Sequence, residues 1–173
     1  MFSLAGIISL LFLHQTFQEA QTPISKPQEQ TIINTKYGRI SIRGKWKNTA
    51  YNPDSRQYEF TNEQNELLAI TKAPKKDYPF YSSSFTDNHF AHAYYKWESE
   101  FWKNQGLSSQ MILNDNKRNY VICKFSGKFE QKQVNNTFLF ASKKGFAYNI
   151  LITSDKLSQE KKIELLTSTY EAN

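Results

Sequence analysis

Residues 86 to 106, TDNHFAHAYYKWESEFWKNQG, carry six aromatic rings and two histidines at helical spacing. No other stretch constrains the fold as tightly, because a helix with rings along one side has to lie on an apolar surface. Thr86 supplies an N-cap, Phe85 and Phe90 stand at hydrophobic-staple spacing, and Gly106 suits the stop. At about 100° per residue, Phe90, Tyr94, Trp97 and Phe101 fall within roughly 60° of one another. That stripe is the expected sheet-facing core, with Trp97 at its centre. Tyr95 and Trp102 share the flank with Ala91, roughly 100–120° away. Two readings of this flank stand open. Either residues 77–85, rich in Tyr and Phe, fold over it, or Tyr95 and Trp102 are a half-exposed pair that binds a protein partner.

The surface such a helix needs is written on both sides of it. RISIR (39–43) alternates strictly, and RQYEFT and ELLAITKAP are strand candidates joined by the polar NEQN. YNPDS reads as a turn, and KKDYPFYSSS as irregular. After Gly106 come LSSQMIL and NYVICKF, then NTFLFA and FAYNILIT across a Ser142–Gly145 turn. A closing helix starts at the N-cap Ser158, with Ile163, Leu166 and Tyr170 on one face. Short polar turns between strands imply antiparallel pairing. The expected fold class is α+β, a mainly antiparallel sheet packed by a long central helix and a C-terminal helix.

Domain limits follow from the polarity changes. Leu4–Leu13 is an apolar run of ten residues, too short for a bilayer core that needs about 20. It matches the apolar segment of a signal peptide, so residues 1–20 are expected to be removed and the protein exported, periplasmic or extracellular, with no stable membrane span afterwards. No lysine or arginine precedes the run, and Gln18 stands where a small residue is usual. No cysteine follows it, which argues against a bacterial lipid anchor. Residues 21–36, with two prolines and no period, read as a polar tether, and 37–173 as a single domain.

The formal charge of +6 raises the question of nucleic acid. Against that, lysines outnumber arginines 18 to 4, and arginine is the residue suited to bidentate phosphate and base contacts. The charge is read as a solvated basic surface without nucleic-acid binding. Cys123, the only cysteine, alternates with Val121 and Phe125 as a small apolar residue on a buried strand face.

ISIRGKW, leading to Trp46, QYEFTNEQNELLAITKAP and FAYNILITSDKLSQEKKIELLTSTY together resemble the strand, first hairpin and closing segment of the PsbP/DcrB-like proteins. The resemblance covers roughly residues 38–171 and is one of element order. It implies a small α/β/α sandwich acting as a non-enzymatic binding or accessory module. The group shares no catalytic residues, so none is carried over.

No catalytic motif stands out in the chain itself. His89 and His92 fall on the polar helix face with Lys96, Ser99, Glu100 and Lys103, and no third metal ligand is close in sequence. There is no Gly-x-Ser-x-Gly elbow and no phosphate-cradling glycine loop. The expectation is a binding or accessory protein with no cofactor, metal or catalytic residues and an unidentified protein partner. Two alternatives stay open: a hydrolase assembled from residues such as Asp87, His89 and His92, or a carrier of a small apolar ligand in a closed cavity between helix and sheet.

Overall fold

The computed structural model describes residues 29–173. β1 (Gln30–Thr35) and β2 (Gly38–Arg43) pair as an antiparallel hairpin, and β3 (Lys47–Asn52), β4 (Gln57–Thr61) and β5 (Leu67–Pro74) follow as a meander. A short 3-10 turn (Lys75–Asp77) leads into α1 (Asp87–Asn104). Then come β6 (Ser108–Asp115), β7 (Tyr120–Phe129), β8 (Lys132–Lys143), β9 (Phe146–Thr153) and α2 (Gln159–Glu171). Seven strands form one sheet in the order β3-β4-β5-β9-β8-β7-β6, each neighbouring pair antiparallel. The fold class is α+β, as the spacing of strands and turns predicts.

Strand periodicity divides the interior into two layers. Leu68, Ile70, Ile122, Leu139 and Ile150 point to one face, where Leu166 and Tyr170 of α2 and Ile40 and Ile42 of β2 cover them. Cys123, Phe125, Phe138 and Phe140 point to the other, against Phe90 and Tyr94 of α1. Thr86 caps α1 by accepting from His89 N at 3.1 Å, and Ser158 caps α2 by accepting from Lys161 N at 3.4 Å. Asn173 fastens the end of α2 to β2. Its Nδ2 donates to Ser41 O at 2.8 Å and Thr169 O at 2.7 Å, while Ser41 N donates to its Oδ1 at 2.9 Å.

Three expectations are corrected. The tether over 21–36 gives way to β1 in its second half, since Thr31 Oγ1 donates to Gly44 O at 2.9 Å and accepts from Trp46 N at 2.8 Å. Residues 1–28, with the expected signal segment, lie outside the described residues. β3 takes in part of the expected YNPDS turn; it is exposed along its length, so no buried alternation marks it. The third correction concerns the face of α1. Phe90, Ala91 and Tyr94 are its buried residues, whereas Trp97 is 40% exposed and Phe101 49% exposed. Ala91 lets the helix come close to the sheet, and the irregular segment after β5 covers the aromatic stripe from the side. Tyr78 lies 5.6 Å from Phe90 and 4.8 Å from Tyr94, and Phe80 5.2 Å and 5.7 Å from the same rings. That cover ends before the last two turns of α1.

Candidate functional site

The uncovered end of α1 presents large rings to solvent. Trp97 has Phe80 at 5.6 Å and Tyr94 at 6.2 Å on its inner side, and the one ring against Phe101 among the described residues is Trp102, edge-on at 5.1 Å. Exposed Tyr81 belongs to the segment that packs beside them. Apolar surface left in water costs roughly 25 cal/mol per Å², so rings aligned on one helix face form a surface ready to be covered.

Tyr95 and Trp102, the flank pair, part company. Trp102 is half-buried over the sheet, 6.3 Å from Phe125 and 5.8 Å from Phe129, and its indole Nε1–H donates to Glu98 Oε2 at 3.0 Å. It supports Phe101 from below. Tyr95 is half-buried and borders a shallow groove of about 600 Å³ between α1 and β6, lined also by Ser99, Lys103 and Leu107. The 77–85 segment packs on Phe90, Tyr94 and Trp97, on the other side of the helix from Tyr95.

Asp87, His89 and His92 do not converge. Asp87 accepts from Lys75 Nζ at 2.7 Å and from Ser142 Oγ at 2.7 Å, clamping the start of α1 to β8. Burial pushes the Asp87 carboxyl up, but Lys75 and Ser142 outweigh that and hold its pKa below the ordinary value. His89 stacks on Phe85 at 4.1 Å, and His92 Nε2 lies 3.4 Å from Asn116 Oδ1. Among the described residues no cluster of three His, Cys, Asp or Glu side chains could hold a metal ion.

A second feature was not legible in the sequence. The sheet floor under the middle of α1 carries small or polar residues, Thr71 and Ala73 of β5 and Asn149 of β9, and their size leaves a cleft of about 250 Å³. Tyr78, Tyr94, Trp97 and Glu98 wall it, and the Arg56–Asp77 ion pair lies at its rim. The Tyr78 and Tyr94 hydroxyls are 3.2 Å apart, and the Oδ1 of Asn149, a residue only 7% exposed, has no hydrogen-bond partner among the described residues. Burial pushes the Glu98 carboxyl up to about 7, and the Trp102 indole only partly offsets it. Burial likewise pushes the Tyr78 hydroxyl up to about 12. Glu98 and Asn149 were missed because an acid between aromatics reads as solvent-facing, and a lone Asn in FAYNILIT reads as an interruption of a strand.

Fold and site together define an α+β sandwich with an aromatic helix end above a polar cleft. No family model matches the chain, and no curated protein matches it in sequence. Among solved structures the chain is similar to the solution structure of cyanobacterial PsbP (CyanoP) from Synechocystis sp. PCC 6803. The TM-score is 0.46 at 10% identity, over 89% of this chain and 94% of that one. Among the described residues no helix is long and apolar enough to cross a membrane.

Proposed function

We propose that this is an exported binding or accessory protein that docks a protein partner on the outer end of α1 and carries out no reaction of its own. The observation that supports this reading is the exposure of Trp97 and Phe101 side by side on one helix face. Aromatic rings bury a large area with few rotamers to freeze, which suits them to anchor an interface. The exposed charges along the helix alternate in sign, Lys96, Glu100 and Lys103, which favours a protein surface over a polyanion. Tyr95 takes part from the margin of this surface, and Trp102 from beneath it. Export rests on the Leu4–Leu13 run.

Both halves of the reading are open to test. Mass spectrometry of the natural protein is expected to find a mature chain starting near Gln21; an intact Met1 on a cytoplasmic pool overturns export. A photo-crosslinker placed at Phe101 in the native host is expected to trap a protein that one placed at Lys161, on the opposite face, does not. That protein, purified, is expected to bind the parent and to lose at least about tenfold in affinity with a Phe101→Ser, Tyr81→Ser variant that still melts within a few degrees of the parent. Equal affinity for both removes this surface from consideration.

A further inference from the structure

The free edge of the sheet is a second surface, separate from the exposed rings of α1. β6 holds the last place in the strand order, and among the described residues its backbone bonds only to β7. The N–H and C=O groups on its other side therefore point outward to water, a ready template for one more strand. Proteins guard such edges with lysine, proline or a bulge. Ser108–Asp115 has neither lysine nor proline, and its bulge, between Met111 and Leu113, comes only after a regular stretch. That stretch, Ser108–Met111, is exposed at every residue.

The two faces beside Ser108–Met111 define the guest. On the α1 side, the groove lined by Tyr95 and Leu107 begins at Ser108 and Ser109. Side chains of an added strand alternate between faces, so every second one would enter this groove. On the other face Lys124 stands opposite Gln110, and Lys128 follows beyond Ser126, the partner of Ser108. Neither lysine makes an ion pair among the described residues. In the groove itself Lys96 and Lys103 outnumber Glu100. Asp115, the one acid of β6, lies past the bulge and is paired with Arg118 at 2.7 Å.

We infer that Ser108–Met111 takes up an extended, acidic segment of a protein partner as an added strand. Its apolar side chains lie in the Tyr95 groove and its carboxylates beside Lys124 and Lys128. Main-chain bonds supply the affinity, and the alternate side chains supply the selection. A basic segment is disfavoured by the lysines on both faces. A second copy is disfavoured too, because two-fold pairing of β6 would set this basic corner against itself. The surface uses neither Trp97 nor Phe101.

The experiment is NMR titration of the purified protein with a short capped peptide that alternates valine and glutamate. The matched probes are a peptide alternating valine and lysine, and the acidic peptide N-methylated at every residue. N-methylation keeps the charges and side chains but prevents the backbone ladder. Saturable shifts are expected with the acidic peptide at Ser108–Met111 and Tyr95, with slowed hydrogen exchange at alternate amides of that stretch. The lysine peptide and the N-methylated peptide are each expected to bind at least about tenfold more weakly. A Lys124→Glu, Lys128→Glu variant that melts within a few degrees of the parent is expected to lose a similar factor. Phe101→Ser, which removes a docking ring, should leave the titration intact, so failure of this edge and failure of the docking surface are separable. The inference is overturned by the absence of saturable shifts, by equal binding of either matched probe, or by full affinity in the lysine variant. It is overturned equally by β6 amides that are already protected in the free protein, or by a dimer that the peptide dissociates, since either names another occupant.

Discussion

Replacing Glu98 with Gln should stabilise the protein at alkaline pH and leave it unchanged at acid pH. A carboxyl raised by burial from 4.5 to about 7 prefers its protonated state in the fold. Its contribution is therefore fully present below about pH 4.5 and is lost as pH rises through about 7. At about 1.36 kcal/mol per pH unit, the largest loss is about 3.4 kcal/mol. The actual loss is smaller, because Glu98 opens on a water-accessible cleft and its charged form accepts from the Trp102 indole at 3.0 Å. Somewhat under half of that, about 1.5 kcal/mol, is the expected magnitude after that screening. Gln keeps the acceptor and removes the charge. For a domain of this size, 1.5 kcal/mol corresponds to a rise of about 3–6 °C in melting temperature. Thermal unfolding followed by circular dichroism at about pH 8 and about pH 4.5 should show that gain at the first and almost none at the second. The same difference at both pH values, or a loss at about pH 8, refutes the placement of Glu98 as a buried acid.

The two indoles at the end of α1 should respond in opposite ways. Trp102→Ala, which empties a seat over Phe125 and Phe129 and deprives Glu98 of its donor, is expected to cost about 2–4 kcal/mol by chemical denaturation, whereas Trp97→Ala should cost about 1 kcal/mol or less. Cys123 is fully buried on β7 and burial pushes its thiol far up, so the native protein should resist a thiol-reactive dye until it is unfolded. Asn173→Ala removes two hydrogen bonds to Ser41 of β2 and one to Thr169 of α2 and is expected to lower stability by about 1–2 kcal/mol, with the loss confined to that corner in hydrogen exchange.

What the amino-acid sequence determined by itself is local. Alternation in RISIR and the apolar runs NYVICKF and FAYNILIT placed β2, β7 and β9, because a strand with one buried face repeats every second residue and one buried on both faces reads as a continuous apolar run. Thr86 and Ser158 marked both helix starts, since a capping hydroxyl acts within one turn of chain. Only the tertiary structure decided the rest. The β7–β8 turn is Glu130-Gln131, both left-handed at φ 46° and 65°, residues with no turn signature that the long pairing on either side holds in place. The rotation of α1 followed neither its ring count nor its period. The segment carrying Tyr78 and Phe80 covers the first half of the stripe, so Phe90 and Tyr94 are buried while Trp97 and Phe101 face water. The cleft is less legible still. Asn149, Thr71 and Glu98 are distant in sequence, and they meet only because β5 and β9 pair at Thr71–Asn149 beneath the helix that carries Glu98. A sequence pattern records which way each residue points along its own element; which residues meet between elements depends on register and packing that no single segment contains.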